Sequence, residues 1–94
     1  MVVASQTWEL SLPGCASLKE KRSVIRSLRD RLRAKFNVSV AETGLQDAHA
    51  RAEISIALVA TDRRLAESML DKVDGFVEEH GGAVIVRLDR EIHR

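Results

Sequence analysis

Residues 51–61, RAEISIALVAT, show the most regular hydropathy alternation in the chain, and the fold is best worked out from this stretch. Every even-numbered position in it is apolar, from Ala52 to Ala60. The odd-numbered positions are polar until Ala57 and Val59, where the second row also turns apolar. Because successive side chains of a strand point to opposite faces of a sheet, the pattern predicts a strand with one buried face.

Two further strands are predicted on the N-terminal side of this one. Residues 2–12 alternate in the same way and form a half-buried strand. Residues 37–43 form a shorter strand, and a polar loop over 44–50 joins it to the strand at 51–61.

A helix is predicted between the first two strands, from Ser17 to about Phe36. Ser17 stands three residues before Glu20, which is the spacing of a capping box. Apolar residues recur at helical spacing and define the buried face: Leu18, Ile25, Leu28, Leu32 and Phe36.

The residues after the central strand predict a second helix and a last strand. Thr61 or Asp62 can cap the helix, which extends to about His80, where the Gly81-Gly82 pair stops it. Its inward stripe is predicted to be Leu65, Ala66, Met69, Val73 and Phe76. The last strand covers 83–92, with these residues facing inward: Val84, Val86 and Leu88.

The element order βαββαβ predicts a ferredoxin-like α+β fold. Right-handed crossovers place strands one and three in the centre of a four-stranded antiparallel sheet, with both helices on one face and the other face open. A length of 94 residues, 45% of them hydrophobic and 31% charged, suits one globular domain over 1–94.

The N-terminus and the apolar runs of the chain bear on its location. No apolar run approaches the roughly 20 residues needed to cross a bilayer. The first residues, MVVASQTWEL, lack the basic segment of a signal peptide. We therefore expect a cytoplasmic protein with no membrane association.

A row of cations on the first helix is the strongest functional signal. Segment 18–36 contains eight basic and two acidic residues, a net charge of +6, whereas the whole chain carries +1. Five of the basic residues are spaced 3, 4, 3 and 4 apart and so form one stripe: Lys19, Arg22, Arg26, Arg29 and Arg33. Lys21 lies near the apolar stripe, and we expect its ammonium group to snorkel to water.

This basic stripe indicates an anionic partner, because like charges at these spacings destabilise an isolated helix slightly. Arginine offers a planar fork of donors that matches phosphate oxygens. We therefore expect these five residues to bind the phosphate backbone of RNA, as in a ribosome-associated protein. The alternative is that acidic residues of the second helix, in the same molecule or in a neighbour, neutralise the stripe in an ordinary ion-pair network.

A protein-interaction or self-assembling module is the alternative function. Base stacking on the sheet is not expected, because Trp8, Phe36 and Phe76 all fall on inward positions. Outward apolar residues form a modest patch that a homodimer could bury: Val3, Ala57, Val59 and Ile85. The interface would be the open sheet face or the edge strand at 37–43.

Enzymatic and metal-binding patterns are lacking. The sequence has no GxGxxG, P-loop or GxSxG motif. Its single cysteine, Cys15, excludes an intramolecular disulfide and a Cys-rich zinc site. Glu9, Glu42 and Glu53 could perform acid–base chemistry only if one pocket collected them. We expect a non-catalytic protein without a cofactor, metal or small-molecule ligand.

The stretch SLKEKRSVIRSLRDRLRAKFNVSVAE, from Ser17 to Glu42, resembles the YlxP-like family of small bacterial proteins, a domain family of unknown function. Residues 51–62, RAEISIALVATD, also match, and the resemblance covers nearly the whole chain. It departs in the loop after the second strand, where Ala48 and His49 stand in place of an expected Trp. The positions that it marks are Ser17, Lys19, Lys21, Arg22, Asn37, Ser39 and Glu42.

What the resemblance implies agrees with the pattern analysis. The family looks ferredoxin-like, and its genes commonly lie among genes for translation and ribosome maturation. That association implies a role near ribosomal RNA, and it brings no catalytic residues.

Overall fold

The computed structural model describes residues 1–80 and 82–93, except for the side chain of His80. Its six elements follow the predicted βαββαβ order. They are β1 (Val2–Ser11), α1 (Leu18–Lys35), β2 (Ser39–Gly44), β3 (Arg51–Ala60), α2 (Arg63–His80) and β4 (Val84–His93). Gly81, half of the predicted stop for α2, lies outside the described residues, and Gly82 has the left-handed φ of 62° expected there.

The four strands form one antiparallel sheet in the order β2-β3-β1-β4. β1 and β3 are therefore central, and the ferredoxin-like α+β fold is confirmed. α1 lies over β2, while α2 contacts β1, β3 and β4. The even-numbered residues of β1 and β3 are all buried beneath the helices, as their alternation predicts.

Side chains cap both helices at their N-termini. The Ser17 hydroxyl accepts a hydrogen bond from the Glu20 N–H at 3.2 Å, which confirms the predicted cap. The Glu20 carboxylate reaches back one residue further than expected and accepts from the Ala16 N–H at 2.7 Å. At α2 the cap is Asp62, whose Oδ1 accepts from the Leu65 N–H at 2.8 Å.

The predicted inward stripe of α2 is partly wrong. The residues that α2 buries completely are Ala66, Leu70, Val73 and Val77. Leu65 is exposed in the first turn of the helix. Met69 and Phe76 are half-buried, and the ring of Phe76 meets Phe36 edge-on at 5.8 Å between centroids. Ala66 and Val73 of the predicted stripe are therefore correct, whereas Phe76 lies on the side of α2 that faces α1.

The inward face predicted for β4 is wrong at Val84 and Val86, and Leu88 lies on the predicted face but is not buried. Val84, Val86 and Leu88 are 56%, 46% and 40% exposed. Ile85, predicted to face outward, is half-buried and packs against the core.

A β-bulge explains this error. Glu9 of β1 pairs with Arg87, but the next residue, Leu10, pairs with Ile85, so Val86 is an extra residue in β4. Before and after the bulge, the residues of β4 that face the helices have opposite parity. Ile85 and Leu88 therefore both lie on the helix face although they are three residues apart. Leu88 remains partly exposed because β4 is an edge strand.

Candidate functional site

The predicted phosphate-binding residues, Lys19, Arg22, Arg26, Arg29 and Arg33, form what we call the basic flank of α1. Two contacts show which way this flank faces. The Arg33 guanidinium donates to the carbonyl oxygen of Val40 at 3.0 Å and so reaches the outer edge of β2. On the opposite side of α1, Lys35 Nζ lies 5.2 Å from the ring centroid of Phe76 in α2. The basic flank therefore points away from α2, along the β2 side of the molecule.

The basic flank divides into free and engaged cations. Lys19, Arg22 and Arg26 are exposed, and their side chains form no ion pair or hydrogen bond within the described part of the chain. Arg29 is 39% exposed, and its Nε lies 3.5 Å from Asp30 Oδ1. With Arg33 held by β2, three of the five predicted residues present uncommitted charge to solvent.

Three of the acidic side chains of α2 have cation partners away from this flank. Glu67 pairs with Arg63 on its own helix at 3.1 Å. Asp71 and Asp74 each lie 3.1 Å from the Arg90 guanidinium of β4. These three carboxylates therefore lie on the β4 side of α2, across the molecule from the free cations of α1. Each of these three carboxylates has a cation partner within the chain, although Asp71 and Asp74 share one guanidinium, whereas Lys19, Arg22 and Arg26 have no such partner among the described residues.

Asp74 is the centre of a polar network that the sequence analysis missed. The Trp8 indole N–H donates to Asp74 Oδ1 at 2.8 Å, and the Gln6 amide donates to the same oxygen. Arg90 Nε donates to Gln6 Oε1 at 2.6 Å and so closes the network. The sequence did carry a sign of this network: Gln6 stands among apolar residues on the buried face of β1. A buried amide needs hydrogen-bond partners, so polar groups were to be expected near it.

Burial raises the pKa of the Asp74 carboxyl above its ordinary value. The Trp8 hydrogen bond, the Arg90 charge and the Gln6 hydrogen bond oppose that shift, and the neighbouring charge of Asp71 adds to it. The network fastens α2 to β1 and β4, and we assign it a structural role.

Lys21 differs from the rest of the basic run, and the expectation that it snorkels is wrong. Its side chain is only 2% exposed, and Nζ donates to the Leu45 carbonyl oxygen at 2.6 Å. Nζ also lies 3.0 Å from Glu42 Oε2, whose side chain is 26% exposed. The end of β2 and the following loop close over the lysine, so its charge is satisfied internally rather than by water.

The positions that the family resemblance marks therefore fall into separate groups. Ser17 caps α1, and Lys21 with Glu42 forms the buried ion pair. Lys19 and Arg22 belong to the free part of the basic flank. The remaining two marked residues are exposed at the start of β2 and line a cavity of about 250 Å³ on the open sheet face: Asn37 and Ser39.

The open sheet face is polar at one end. Glu9 and Glu53 are directly opposite each other on β1 and β3. Arg51 pairs with Glu9 at 3.1 Å, and the Thr43 hydroxyl donates to Glu53 at 2.7 Å. Glu42 lies on the helix face with Lys21, so the three carboxylates that an acid–base site would require are not collected in one pocket.

Residues 1–80 and 82–93 contain neither a metal-binding cluster nor a membrane-spanning helix. No group of three or more histidine, cysteine or acidic side chains is placed to hold a metal ion. Neither of the helices in that part of the chain is long and apolar enough to span a membrane.

Comparison with known proteins identifies the family. The model of a family described as "Protein of unknown function (DUF503)" matches residues 3–90. The chain belongs to this family. "Uncharacterized protein YlxP" of Bacillus subtilis (strain 168) is 42% identical over 62 residues, which cover 66% of this chain and 67% of that protein. The resemblance to YlxP-like proteins is thereby confirmed, and the DUF503 match covers α1, β2, β3 and α2 in full and most of β1 and β4.

Two solved structures resemble this DUF503 chain at lower similarity. A putative chlorite dismutase, TA0507, gives a TM-score of 0.49 at 13% identity, covering 97% of this chain and 43% of that one. A C-terminal segment of the alpha subunit of aIF2 from Pyrococcus abyssi gives 0.46 at 20% identity, covering 100% and 49%. The chain spans less than half the length of either solved chain.

Proposed function

We propose that this protein is a non-catalytic, ribosome-associated RNA-binding factor that acts in ribosome maturation or translation. Lys19, Arg22 and Arg26 would hold the phosphate backbone. The observation that carries this proposal is that these three side chains are exposed and have no ion pair among the described residues, while Glu67, Asp71 and Asp74 of α2 already have cation partners elsewhere. The ribosomal setting is what the family resemblance implies, and a ribosome-associated factor would act in the cytoplasm.

The energetics of α1 favour an external anion. Cations at i,i+3 and i,i+4 repel one another, and none of these three side chains forms an ion pair with a described carboxylate. A polyanion would replace the repulsion with charge-assisted hydrogen bonds. From Lys19 to Arg26 the helix rises about 10.5 Å, a length over which one backbone can contact all three side chains.

The surface supports backbone contact rather than base recognition. All three aromatic residues of the chain lie away from the open face: Trp8 is fully buried, and Phe36 and Phe76 pack on each other. Bases therefore have no aromatic platform on the sheet. Phosphate contacts carry no sequence information, so we expect little sequence preference from this flank.

A salt titration tests the number of phosphates held. Neutralising three phosphates of a single strand gives a slope of about −2 for log affinity against log salt, so affinity falls about twentyfold from 50 to 200 mM salt. Filter binding with a ribosomal RNA fragment measures this slope. A slope near zero, or no retention at low salt, would refute the proposal.

A matched pair of variants tests the location of the site. Arg22→Gln with Arg26→Gln removes two charges from the basic flank and should reduce the slope by about two-thirds. Arg63→Gln with Arg64→Gln removes the same charge from exposed positions of α2 and should leave the slope nearly unchanged. Equal loss of affinity in both variants would mean that net charge, rather than this surface, retains the RNA.

A further inference from the structure

The two edges of the sheet differ in how their backbone groups are satisfied. At the β2 edge, Arg33 donates to the Val40 carbonyl oxygen, and the Gln46 amide makes a weaker contact with the Glu42 carbonyl oxygen at 3.4 Å. These contacts block part of the β2 edge against pairing with another chain, although the alternative function offered this edge strand as one possible interface. Among the described residues, no side chain hydrogen-bonds to the backbone of β4, which is the other edge strand.

The free edge of β4 is also apolar around its middle. Val86 and Leu88 are both exposed, and the β-branched side chain of Val86 favours strand structure. An exposed edge of this kind is a template for an added strand, and charged residues on such an edge decide which strand can be added.

The sequence around Leu88 is self-complementary in charge. Arg87 and Asp89 flank it on the open face and are 71% and 66% exposed. Within one chain, Arg87 Nε lies 3.4 Å from Asp89 Oδ2, which is a long distance for an ion pair. In an antiparallel pair of identical strands, residues equally distant from the centre face each other. A centre at Leu88 therefore places Arg87 of each copy opposite Asp89 of the other.

We infer that two copies of this chain form a dimer by antiparallel pairing of their β4 edges, with the twofold axis at Leu88. Two cross-strand Arg87–Asp89 ion pairs flank the axis on the open face, and the two Leu88 side chains meet on the helix face. The result is a continuous eight-stranded sheet.

Charge selects this register over its neighbours. The helices of both copies stay on the same side of the sheet only if the twofold axis passes through a residue. The neighbouring registers are therefore centred at Arg87 and at Asp89. A centre at Arg87 would put two arginines opposite each other, and a centre at Asp89 would oppose two aspartates. Each alternative puts one like-charge pair on the axis, although a centre at Asp89 would also place Arg87 opposite Glu91 on each side. Among the three registers, only the one centred at Leu88 has two opposite-charge pairs and no directly facing like charges.

The dimer would leave the proposed RNA-binding surface accessible. β2 and β4 are at opposite edges of the sheet, so pairing through β4 places the basic flanks of the two copies at the outer ends. The dimer inference does not depend on RNA binding, because it rests only on the edge of β4.

Charge reversal with rescue tests the inference in sedimentation equilibrium. The wild-type chain is expected to show twice its 10.5 kDa mass at high micromolar concentration. Arg87→Asp and Asp89→Arg each place like charges opposite one another twice, and each should weaken dimerisation at least tenfold. The double variant, Arg87→Asp with Asp89→Arg, should return to within about threefold of wild type. Arg51→Asp, on the open face of β3, is the matched control and should remain dimeric.

Disulfide trapping tests the register independently of the charge variants. In a Cys15→Ser background, Leu88→Cys should form a dimer-linking disulfide under mild oxidation, because directly opposed residues of antiparallel strands lie within disulfide reach. Val84→Cys is the control, since its position is more exposed but lies away from the axis. A monomeric wild-type chain, a double variant no better than the single ones, or equal cross-linking of the two cysteine variants would overturn the inference.

Discussion

Replacing Lys21 by Met should destabilise the protein far more than the same change at Lys19, two residues earlier on the same helix. The Lys21 ammonium group has a buried hydrogen bond to the Leu45 carbonyl oxygen and an ion pair with Glu42. Met keeps most of the apolar stem but leaves both oxygen partners unsatisfied. Lys19 is exposed and has no side-chain partner among the described residues.

The structure sets the expected magnitude. Removing one partner of a buried pair costs about 3–5 kcal/mol, and the partial exposure of Glu42 points to the lower end, about 3 kcal/mol. For a domain of 94 residues, that corresponds to a fall in Tm of about 15 °C. Lys19→Met should change stability by less than about 0.5 kcal/mol.

Urea denaturation followed by the fluorescence of Trp8, the one tryptophan of the chain, measures both free energies of unfolding. Combining Lys21→Met with Glu42→Gln should cost clearly less than the sum of the single changes, because the stranded carboxylate is then neutral. Filter binding should show the reverse ranking, with RNA affinity reduced by Lys19→Met and unaffected by Lys21→Met. Equal costs for the two lysines, or additivity in the double variant, would refute the reasoning.

Two further predictions concern Asp74 and Arg33. Since burial raises the pKa of Asp74, the native state binds more protons than the unfolded state just above the ordinary carboxyl value of 3.8, so the free energy of unfolding falls as the pH rises through the raised pKa. Asp74→Asn should remove this slope in denaturation curves collected across acidic pH, and an unchanged slope would assign it to another carboxyl group. Arg33→Gln should lower stability by about 1 kcal/mol by freeing the Val40 carbonyl oxygen. It should leave the salt slope of RNA binding intact, and a loss matching that of Arg26→Gln would contradict the assignment of Arg33 to β2.

Local signals predicted most of the fold correctly. Helix caps depend on residues three apart, so Ser17 could be identified without knowing what packs against α1. The alternation in β1 and β3 was equally reliable, because both strands are central and each has one face fully covered by helices. The helix cap and the strand alternation both depend on residues that are close in the sequence, and tertiary contacts do not alter them.

β4 shows where local signals stop being sufficient. Its residues Val84, Val86 and Leu88 have the alternation of a buried row, yet the bulge opposite Glu9 breaks their shared face. The bulge exists only in the pairing of β4 with β1, so nothing in the β4 sequence alone reports it. For an edge strand, burial also depends on how far the helices extend over it, which is again a tertiary property.

By itself, the sequence determined the order of elements, the ferredoxin-like topology and the run of positive charge on the first helix, because periodicity and capping act over a few residues. Only the tertiary structure decided which of those charges remain available. Lys21 meets Glu42 and Leu45 across more than twenty residues, and Arg33 meets the backbone of β2, whereas Lys19, Arg22 and Arg26 point to solvent. A charge is free or neutralised according to what lies within a few ångströms of it, and chain folding sets those distances.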